Sequence, residues 1–223
     1  MDKAANRKVL IIAYQFPPRG GPGVHRTLNF VRHLPEFGYE PVVLSVQEEE
    51  YKKANEQLDY SLLAKVPPEV KVERTPSFRP FNFIRIANRL RVFRFFWFFA
   101  WPLFWEPVAR WPFKVYKTAA RLVKENDIDI VYTTSGPFSA WILGYLLKKR
   151  LKVKWVADLR DPFTDGYMWL FPSRLHWYLA RRAEKWLLSR SDIVIVNTPE
   201  VRKKFISRKI KDPSKIVFIT NGF

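Results

Sequence analysis

Cysteine is absent from the 223 residues, and histidine and glycine are scarce, with three and eight copies. Without cysteine the chain has no disulfide, no thiolate nucleophile and no thiolate metal ligand, which is compatible with a reducing compartment. The histidines lack the spacing of metal ligands, so we expect no metal site and no cofactor. They are His25, His33 and His176. Three of the few glycines fall close together, at Gly20, Gly21 and Gly23.

Acidic residues are also few, because 39 lysines and arginines stand against 21 aspartates and glutamates, for a net charge of +18. A charge of this size indicates a polyanionic neighbour, either nucleic acid or an anionic membrane. The segment from Arg74 to Lys117 carries nine basic residues and one acidic residue, Glu106. Within it lies an aromatic block that a water-facing surface would not tolerate.

Residues 76–112 are the predicted insertion that contains this aromatic block. A position at a membrane interface is favoured, because aromatic rings suit the headgroup level and arginine binds anionic lipid. The block is too short to span a bilayer, and Pro102 interrupts it. A core helix or pocket lining is the competing interpretation, and stacking on nucleic acid is disfavoured. The predicted membrane contacts are Phe95, Phe96, Trp97, Phe98, Phe99, Trp101, Phe104 and Trp105.

The N-terminal segment predicts a strand, a glycine loop, a helix and a second strand. Val9–Tyr14 is an apolar run typical of a buried parallel strand, and Pro17 and Pro18 end it. Glycines lack Cβ atoms, so backbone N–H groups there can approach a phosphate or a sugar hydroxyl at the start of a helix. The helix carries Val24, Leu28, Val31, Leu34 and Phe37 at helical spacing, Gly38 ends it, and Val42–Val46 follows.

Strand and helix patterns alternate along the rest of the chain. Further strands are predicted at Val70–Thr75, Asp129–Thr133, Lys154–Ala157, Ile193–Val196 and Ile216–Thr220. Helices are predicted at Phe113–Glu125, from Pro137, and after Ser173, the last with Leu175, Leu179, Ala183, Trp186 and Leu187 on its apolar side. This alternation predicts one α/β domain over residues 1–223, a doubly wound, Rossmann-like parallel sheet that binds ligands beyond the carboxyl ends of its strands.

Polar clusters follow four of the predicted strands, so one edge of the sheet is expected to carry the site. These clusters are Gly20 to Gly23; Thr134, Ser135 and Gly136; Asp158, Arg160 and Asp161; and Asn197 and Thr198. Thr134 to Gly136 suit a helix cap as well as a ligand contact. Arg160 between two aspartates equally suits a structural ion pair. His25 adjoins the glycine loop, with a solvated helix position as the alternative, and Glu184 and Trp186 are interpreted as packing or surface residues.

The string F-P-P-x-G-G-x-G-V-x-R-T at Phe16–Thr27 differs from the G-x-G-x-x-G spacing of dinucleotide-binding loops. Together with FGYEPVVLS, VYTTSGPFSA, KWVADLRDPFTD, SDIVIVNTP and KIVFITNGF, it resembles the N-terminal domain of GT-B glycosyltransferases of the family 4 type. The resemblance covers nearly the whole chain apart from its middle. It implies the acceptor-side half of a GT-B fold, with the basic aromatic segment as an insertion.

The resemblance also implies a function and roles for the polar clusters. The function is retaining, metal-independent transfer of a sugar from a nucleotide-sugar to a glycan or lipid-linked acceptor, as in polysaccharide or glycolipid synthesis. Gly20, Gly21, Gly23 and His25 would then contact the donor phosphates, and Thr134, Ser135, Gly136, Asp158, Asn197 and Thr198 the acceptor side. Many relatives have His-Asp where this chain has Arg160 and Asp161, so these two are the implied catalytic positions, for phosphate and a sugar hydroxyl respectively.

The same resemblance implies a peripheral enzyme on the cytoplasmic face of an anionic membrane, with no nucleic acid as partner. Asn221 to Phe223 resemble the start of an interdomain linker, so we expect the donor-binding domain to lie outside these residues. Two other function classes stay open. One is a non-catalytic carbohydrate- or lipid-binding module. The other is a nucleotide-dependent Rossmann enzyme with Glu48 on the ribose, which the glycine spacing disfavours.

Overall fold

The computed structural model of the chain describes residues 7–77, 108–166 and 171–221. The aromatic block Phe95–Trp105 lies outside the described residues, so its contact with a membrane stays a prediction. Among the residues that the structure describes, no helix has the length and apolar composition needed to cross a bilayer.

Seven strands form one sheet in which every neighbouring pair is parallel, in the order β3-β2-β1-β4-β5-β6-β7. This confirms the predicted Rossmann-like α/β fold. The strands are β1 (Arg7–Ile12), β2 (Tyr39–Val46), β3 (Lys71–Thr75), β4 (Ile130–Thr134), β5 (Lys154–Leu159), β6 (Ile193–Val196) and β7 (Ile216–Phe218). The order reverses between β1 and β4, and the crevice beyond the carboxyl ends at such a point is the usual ligand site.

Six α-helices are found in the described residues, and they pack on both faces of the sheet. They are α1 (Pro22–His33), α2 (Glu48–Lys53), α3 (Trp111–Glu125), α4 (Ala140–Leu151), α5 (Arg174–Leu188) and α6 (Pro199–Ser207). On one face α1 covers the alternate residues Val9 and Ile11 of β1. On the other, α3, α4, α5 and α6 cover Leu10 and Ile12. α1 therefore lies on one face of the sheet, and α3 to α6 lie on the other.

Local sequence explains where α1 begins and ends. Pro22 occupies its first turn, where a missing N–H costs nothing. A short 3-10 turn, Leu34–Phe37, follows α1 and ends at Gly38, whose φ of 78° lies in the left-handed region that glycine adopts at low cost. The buried residues Val24, Leu28 and Val31 confirm the predicted apolar side. Phe37 does not belong to it, because the 3-10 turn breaks the helical period and leaves this ring 74% exposed.

The buried side of α5 differs from the predicted one. Ser173 caps the helix as predicted, accepting a hydrogen bond from the N–H of His176. However, the buried residues are His176, Ala180, Glu184 and Leu188. The predicted apolar side instead faces solvent, with Leu175, Leu179 and Trp186 between 45% and 60% exposed. The polar His176 and Glu184 can lie inside because they have hydrogen-bond partners there, and polarity alone therefore gave the wrong face.

Candidate functional site

The glycine loop between β1 and α1 is held in place by a neighbouring segment. The N–H of Gly20 donates to the carbonyl of Gln57 at 2.9 Å, so this amide is committed to the fold. Gly21 adopts a φ of 95° and precedes α1 without a side-chain cap. The first N–H groups of α1 therefore lie behind a loop that carries no side chain, and such a helix start favours negative charge.

Arg160, just after β5, places its guanidinium between Gly23 in the first turn of α1 and Gly136 in the loop after β4. A Cβ atom added to Gly23 would lie 1.7 Å from Nη1 of Arg160, and one added to Gly136 would lie 2.1 Å from Nη2. Both distances are far below any real contact, so the guanidinium fits only because both positions are glycine. We call this space, bounded by Gly23 and Gly136, the arginine slot. It joins the loops after β1, β4 and β5 at the point where the strand order reverses.

Hydrogen bonds fix Arg160 in the arginine slot. Its backbone N–H donates to Oγ of Ser135 at 2.8 Å, and its Nε donates to the carbonyl of Ser135 at 2.8 Å. Its Nη1 donates to Oε1 of Gln15, also at 2.8 Å. In the residues that the structure describes, no carboxylate forms an ion pair with Arg160. Burial lowers the pKa of its guanidinium, against the opposing effect of Asp161 and Asp158. The slot therefore holds a cation whose local partners are all neutral.

Asp158, at the end of β5, pairs with a different arginine. Its two carboxylate oxygens accept from Nη2 and Nε of Arg26 on α1, at 2.7 and 2.9 Å. The carboxylate also accepts from the hydroxyl of Tyr132 at 2.6 Å and from Oγ1 of Thr134 at 3.2 Å. Asp158 has no solvent exposure. It lies beneath the site, and its carboxylate joins α1 to β4 and β5.

Opposite charges stabilise the buried pair of Arg26 and Asp158. Burial by itself would lower the pKa of Arg26, but Asp158 raises it above its usual value. The pKa of Tyr132 is well above its usual value, first because the hydroxyl is buried and then because Asp158 is negative beside it. Arg26 also donates to the carbonyls of Ile219 and Thr220, at 2.8 and 3.2 Å. The segment after β7 is thereby tied to the start of α1.

A second buried carboxylate supports the loop that follows Arg160. Glu184 of α5 accepts from Oγ1 of Thr164 at 2.8 Å and from Nη2 of Arg208 at 2.6 Å. Arg208 donates in turn to Asp165 at 2.8 Å. Burial raises the pKa of Glu184, while Arg208 and Thr164 act in the opposite direction. Glu184 is thus a packing residue, as expected, and it fixes the far end of the loop that begins at Arg160.

The remaining predicted site residues take several positions. Thr198 caps α6, accepting from the N–H of Val201 at 3.2 Å. The side-chain oxygen of the neighbouring Asn197 is buried with no hydrogen-bond partner. His25 and Asp161 are exposed at the surface. Ser135 does not cap α4, since its hydroxyl accepts from Arg160.

The other structural alternatives from the sequence can also be decided. The predicted ion pair between Arg160 and Asp158 is absent from the described residues, because Asp158 is saturated by Arg26, Tyr132 and Thr134. Glu48 binds Lys52 and accepts from the hydroxyl of Tyr60, both at 2.6 Å. No cluster of three or more potential metal ligands occurs in the part of the chain that the structure describes.

Three contributors to this site were missed in the sequence, namely Gln15, Arg26 and Tyr132. Gln15 lies three residues after the end of β1, at the same edge as the predicted clusters. Arg26 falls on the buried side of α1, beside Val24, Thr27 and Leu28. A charged residue inside an apolar helical stripe is a signal for a buried partner of opposite charge. Tyr132 gave no signal, because a tyrosine in a strand is ordinary.

The family model for "Glycosyltransferase Family 4" matches residues 20–223 of this sequence. The chain belongs to glycosyltransferase family 4. This confirms the resemblance drawn from the loop motifs. No curated protein matches the sequence significantly.

Solved structures show that this family 4 chain shares its fold with proteins of distant sequence. A glycosyltransferase from Rickettsia africae superimposes with a TM-score of 0.53 at 16% identity, covering 96% of this chain and 43% of that one. A putative UDP-N-acetylglucosamine 2-epimerase from Listeria monocytogenes gives 0.54 at 13% identity, covering 95% and 44%. The UDP-GlcNAc 2-epimerase from Neisseria meningitidis, bound to UDP-GlcNAc, gives 0.53 at 12%, covering 95% and 45%. The chain therefore spans less than half the length of these structures.

Proposed function

We propose that this family 4 domain is the acceptor-side half of a retaining glycosyltransferase that needs no metal. It would transfer a sugar from a nucleotide-sugar to a glycan or a lipid-linked acceptor at the cytoplasmic face of a membrane. The observation that carries the proposal is the arginine slot. There, a partly buried guanidinium without a carboxylate partner lies beside the uncapped start of α1, at the point where the strand order reverses.

The chemistry of the proposed reaction explains why a cation is needed there. The bond between the anomeric carbon and the donor diphosphate breaks, and the acceptor hydroxyl oxygen forms the new bond on the same face of the sugar. Negative charge grows on the leaving diphosphate, which takes up the proton that the acceptor hydroxyl loses. A guanidinium and helix N–H groups that are already oriented stabilise that charge without rearranging. Arg160 and the start of α1 would fill this role, and the exposed Asp161 would bind a sugar hydroxyl.

The structure of the slot refines the roles proposed for the other residues. Gly21 and Gly23 serve different purposes, because Gly21 supplies a positive φ and Gly23 makes room for Arg160. We propose that Ser135 and Gly136 contact substrate through their backbone and also orient Arg160. Asp158 would act by positioning α1 rather than by touching the acceptor, and Thr198 by fixing α6. The Neisseria meningitidis structure holds UDP-GlcNAc, which supports a nucleotide-sugar as the donor.

The proposal is tested by binding and by turnover. Titration of the purified chain with inorganic pyrophosphate should show binding that Arg160→Ala weakens by about tenfold or more. Arg121→Ala is the matched control, because Arg121 lies on α3 and pairs with Glu73 and Glu125. Equal binding in both variants would contradict the assignment of Arg160.

We further propose that the donor is held mainly by a second domain. The chain covers 43% to 45% of the three structures described above, which supports this division. Residues 1–223 alone should then fold and show no transfer from any nucleotide-sugar. Appreciable transfer by the purified 223-residue chain would refute the division. Binding of a carbohydrate or lipid without sugar transfer, even by a longer chain that includes the second domain, would instead favour a non-catalytic binding module.

A further inference from the structure

The solvent-facing side of α5 is unusually apolar for a helix at a protein surface. Leu175 is 60% exposed, Tyr178 49%, Leu179 48% and Trp186 45%. Their spacing of three, four and eleven residues from the first places them on one stripe, opposite the buried His176, Ala180, Glu184 and Leu188. Scattered exposed leucines are ordinary, but a contiguous apolar stripe marks an interaction site. We call Leu175, Tyr178, Leu179, Arg182 and Trp186 the α5 face.

The exposed charged residues of α5 itself have one sign, and the nearby Asp165 is paired with Arg181, Lys204 and Arg208. The helix carries Arg174, Arg181, Arg182 and Lys185, and its one acidic residue is Glu184. Glu184 is 1% exposed and bound to Arg208, so it contributes no negative charge to the surface. A solvated helix normally mixes both signs. This face therefore presents apolar and cationic groups to its surroundings and no anionic ones.

Arginine side chains pack against the aromatic rings of this helix. The guanidinium of Arg190 lies 3.9 Å from the ring centre of Trp186, and that of Arg182 lies 5.6 Å from the ring centre of Tyr178. The ring of Tyr145 on α4 lies 5.0 Å from that of Trp186, and Nζ of Lys149 lies 6.0 Å from the centre of the Tyr145 ring. The α5 face thus continues onto α4 as alternating rings and cations.

We propose that the α5 face docks on an anionic lipid bilayer, with its leucines and Trp186 in the headgroup boundary and its arginines on lipid phosphates. This chemistry distinguishes a bilayer from nucleic acid, because Leu175 and Leu179 offer nothing to a phosphodiester backbone. In addition, cations already cover faces of the rings on which bases would stack. Apolar side chains beside arginines are the composition of a helix that lies in the membrane interface.

The placement rests on the proposed function in one respect, since a lipid-linked acceptor would meet the site while the domain lies on the membrane. It does not depend on the aromatic block Phe95–Trp105, which lies outside the described residues. The α5 face is therefore a second and separable membrane contact. In the chain, α5 follows a segment that begins at Arg160. Contact of the α5 face with a bilayer would therefore hold the arginine slot near the membrane.

The absence of cysteine allows a direct test, because one introduced cysteine takes a fluorescent label uniquely. Leu179→Cys places the label in the α5 face. Phe37→Cys is the matched control, as this exposed ring lies next to α1 on the other side of the sheet. With vesicles of phosphatidylglycerol and phosphatidylcholine, the label at 179 should shift its emission to the blue, and the label at 37 should not. The shift should persist in about 1 M NaCl, where the Debye length is about 3 Å.

Two further variants distinguish the contribution of the α5 face from that of the aromatic block. Changing Phe96, Trp97, Phe99 and Trp101 to Ser should leave the blue shift at 179 in place. Leu175→Ser with Trp186→Ser should lower vesicle partitioning by about tenfold or more, with the circular dichroism spectrum unchanged. The proposal is overturned if neither or both labels shift, if salt abolishes the shift, or if the Phe96 to Trp101 variant loses it. It is also overturned if an acidic protein or nucleic acid, rather than vesicles, produces the shift.

The outcome is independent of sugar transfer. Lipid contact at position 179, together with no sugar transfer even by a longer chain that includes the second domain, would overturn the proposed function. The proposal for the α5 face would still hold. Turnover on a water-soluble acceptor without lipid contact at 179 would do the reverse.

Discussion

Arg26 holds both carboxylate oxygens of Asp158, at 2.7 and 2.9 Å, with both side chains almost completely buried. The two residues lie 132 positions apart in the sequence and join the first helix to the fifth strand. Removing one partner of a buried ion pair destabilises a protein far more than replacing both partners with apolar residues, because the remaining charge keeps its desolvation penalty.

Asp158→Asn should therefore lower the free energy of unfolding by about 3–5 kcal/mol, since Arg26 would be left charged and buried. Urea unfolding of the purified chain measures this change. Asp161→Asn is the control, because Asp161 is exposed, and it should change the free energy by no more than about 0.5 kcal/mol. A loss below about 1 kcal/mol in Asp158→Asn would show that the pair is not needed for stability.

Gly23→Ala should reduce turnover by about a hundredfold, because the new Cβ would occupy the position of Nη1 of Arg160 and displace the guanidinium. Gly20→Ala is the matched control, since its Cβ would meet Cβ of Asp59 at 3.4 Å, an ordinary contact. Steady-state kinetics in an active form of the enzyme distinguish the two. Equal turnover in both variants would mean that Arg160 is not required in the slot.

Arg160→Ala should reduce turnover by about a hundredfold or more and leave the fold intact, because the guanidinium has no carboxylate partner to strand. We expect the melting temperature to move by no more than about 4 °C, which corresponds to about 1 kcal/mol in a domain of this size. Calorimetry and kinetics on the same preparation provide both values. A large drop in melting temperature with normal turnover per folded molecule would assign Arg160 a purely structural role.

Glu184→Gln should change how stability depends on pH. Burial raises the pKa of Glu184 in the folded state above 4.5, so the folded protein binds this proton more tightly than the unfolded chain. The stability that the protonated group contributes is present below about pH 4.5 and is lost as the pH rises through the folded-state pKa. The unfolding free energy of the native chain minus that of Glu184→Gln should therefore fall above pH 4.5, by at most about 1.4 kcal/mol per pH unit.

The control for this pH series is Glu125→Gln, which makes the same chemical change at an exposed carboxylate. Urea unfolding at several pH values measures both differences. A difference that increases with pH for Glu184→Gln would mean that Arg208 outweighs burial.

Sequence alone predicted the sheet, the glycine loop and the edge on which the polar residues meet. These depend on local patterns, namely apolar runs, glycine and proline positions, and the rule that parallel strands end at one edge. It did not predict which arginine pairs with Asp158. Arg160 is two residues away and Arg26 is 132, yet backbone direction at the end of β5 gives the carboxylate to Arg26. The predicted apolar side of α5 was wrong for a related reason. Glu184 can be buried because Thr164 and Arg208, which lie outside the helix, are its hydrogen-bond partners.

The arginine slot has an evolutionary consequence. Gly23 in the first turn of α1, Gly136 after β4 and Arg160 after β5 share one volume, so a larger residue at Gly23 or Gly136 can be accepted only if a shorter residue replaces Arg160. A single substitution of either glycine would produce a clash with Arg160, and a single shortening of Arg160 would leave the slot empty. Among homologous chains, position 23 should therefore change together with position 160, whereas position 136 should stay glycine because its φ of 89° lies in the region that favours glycine.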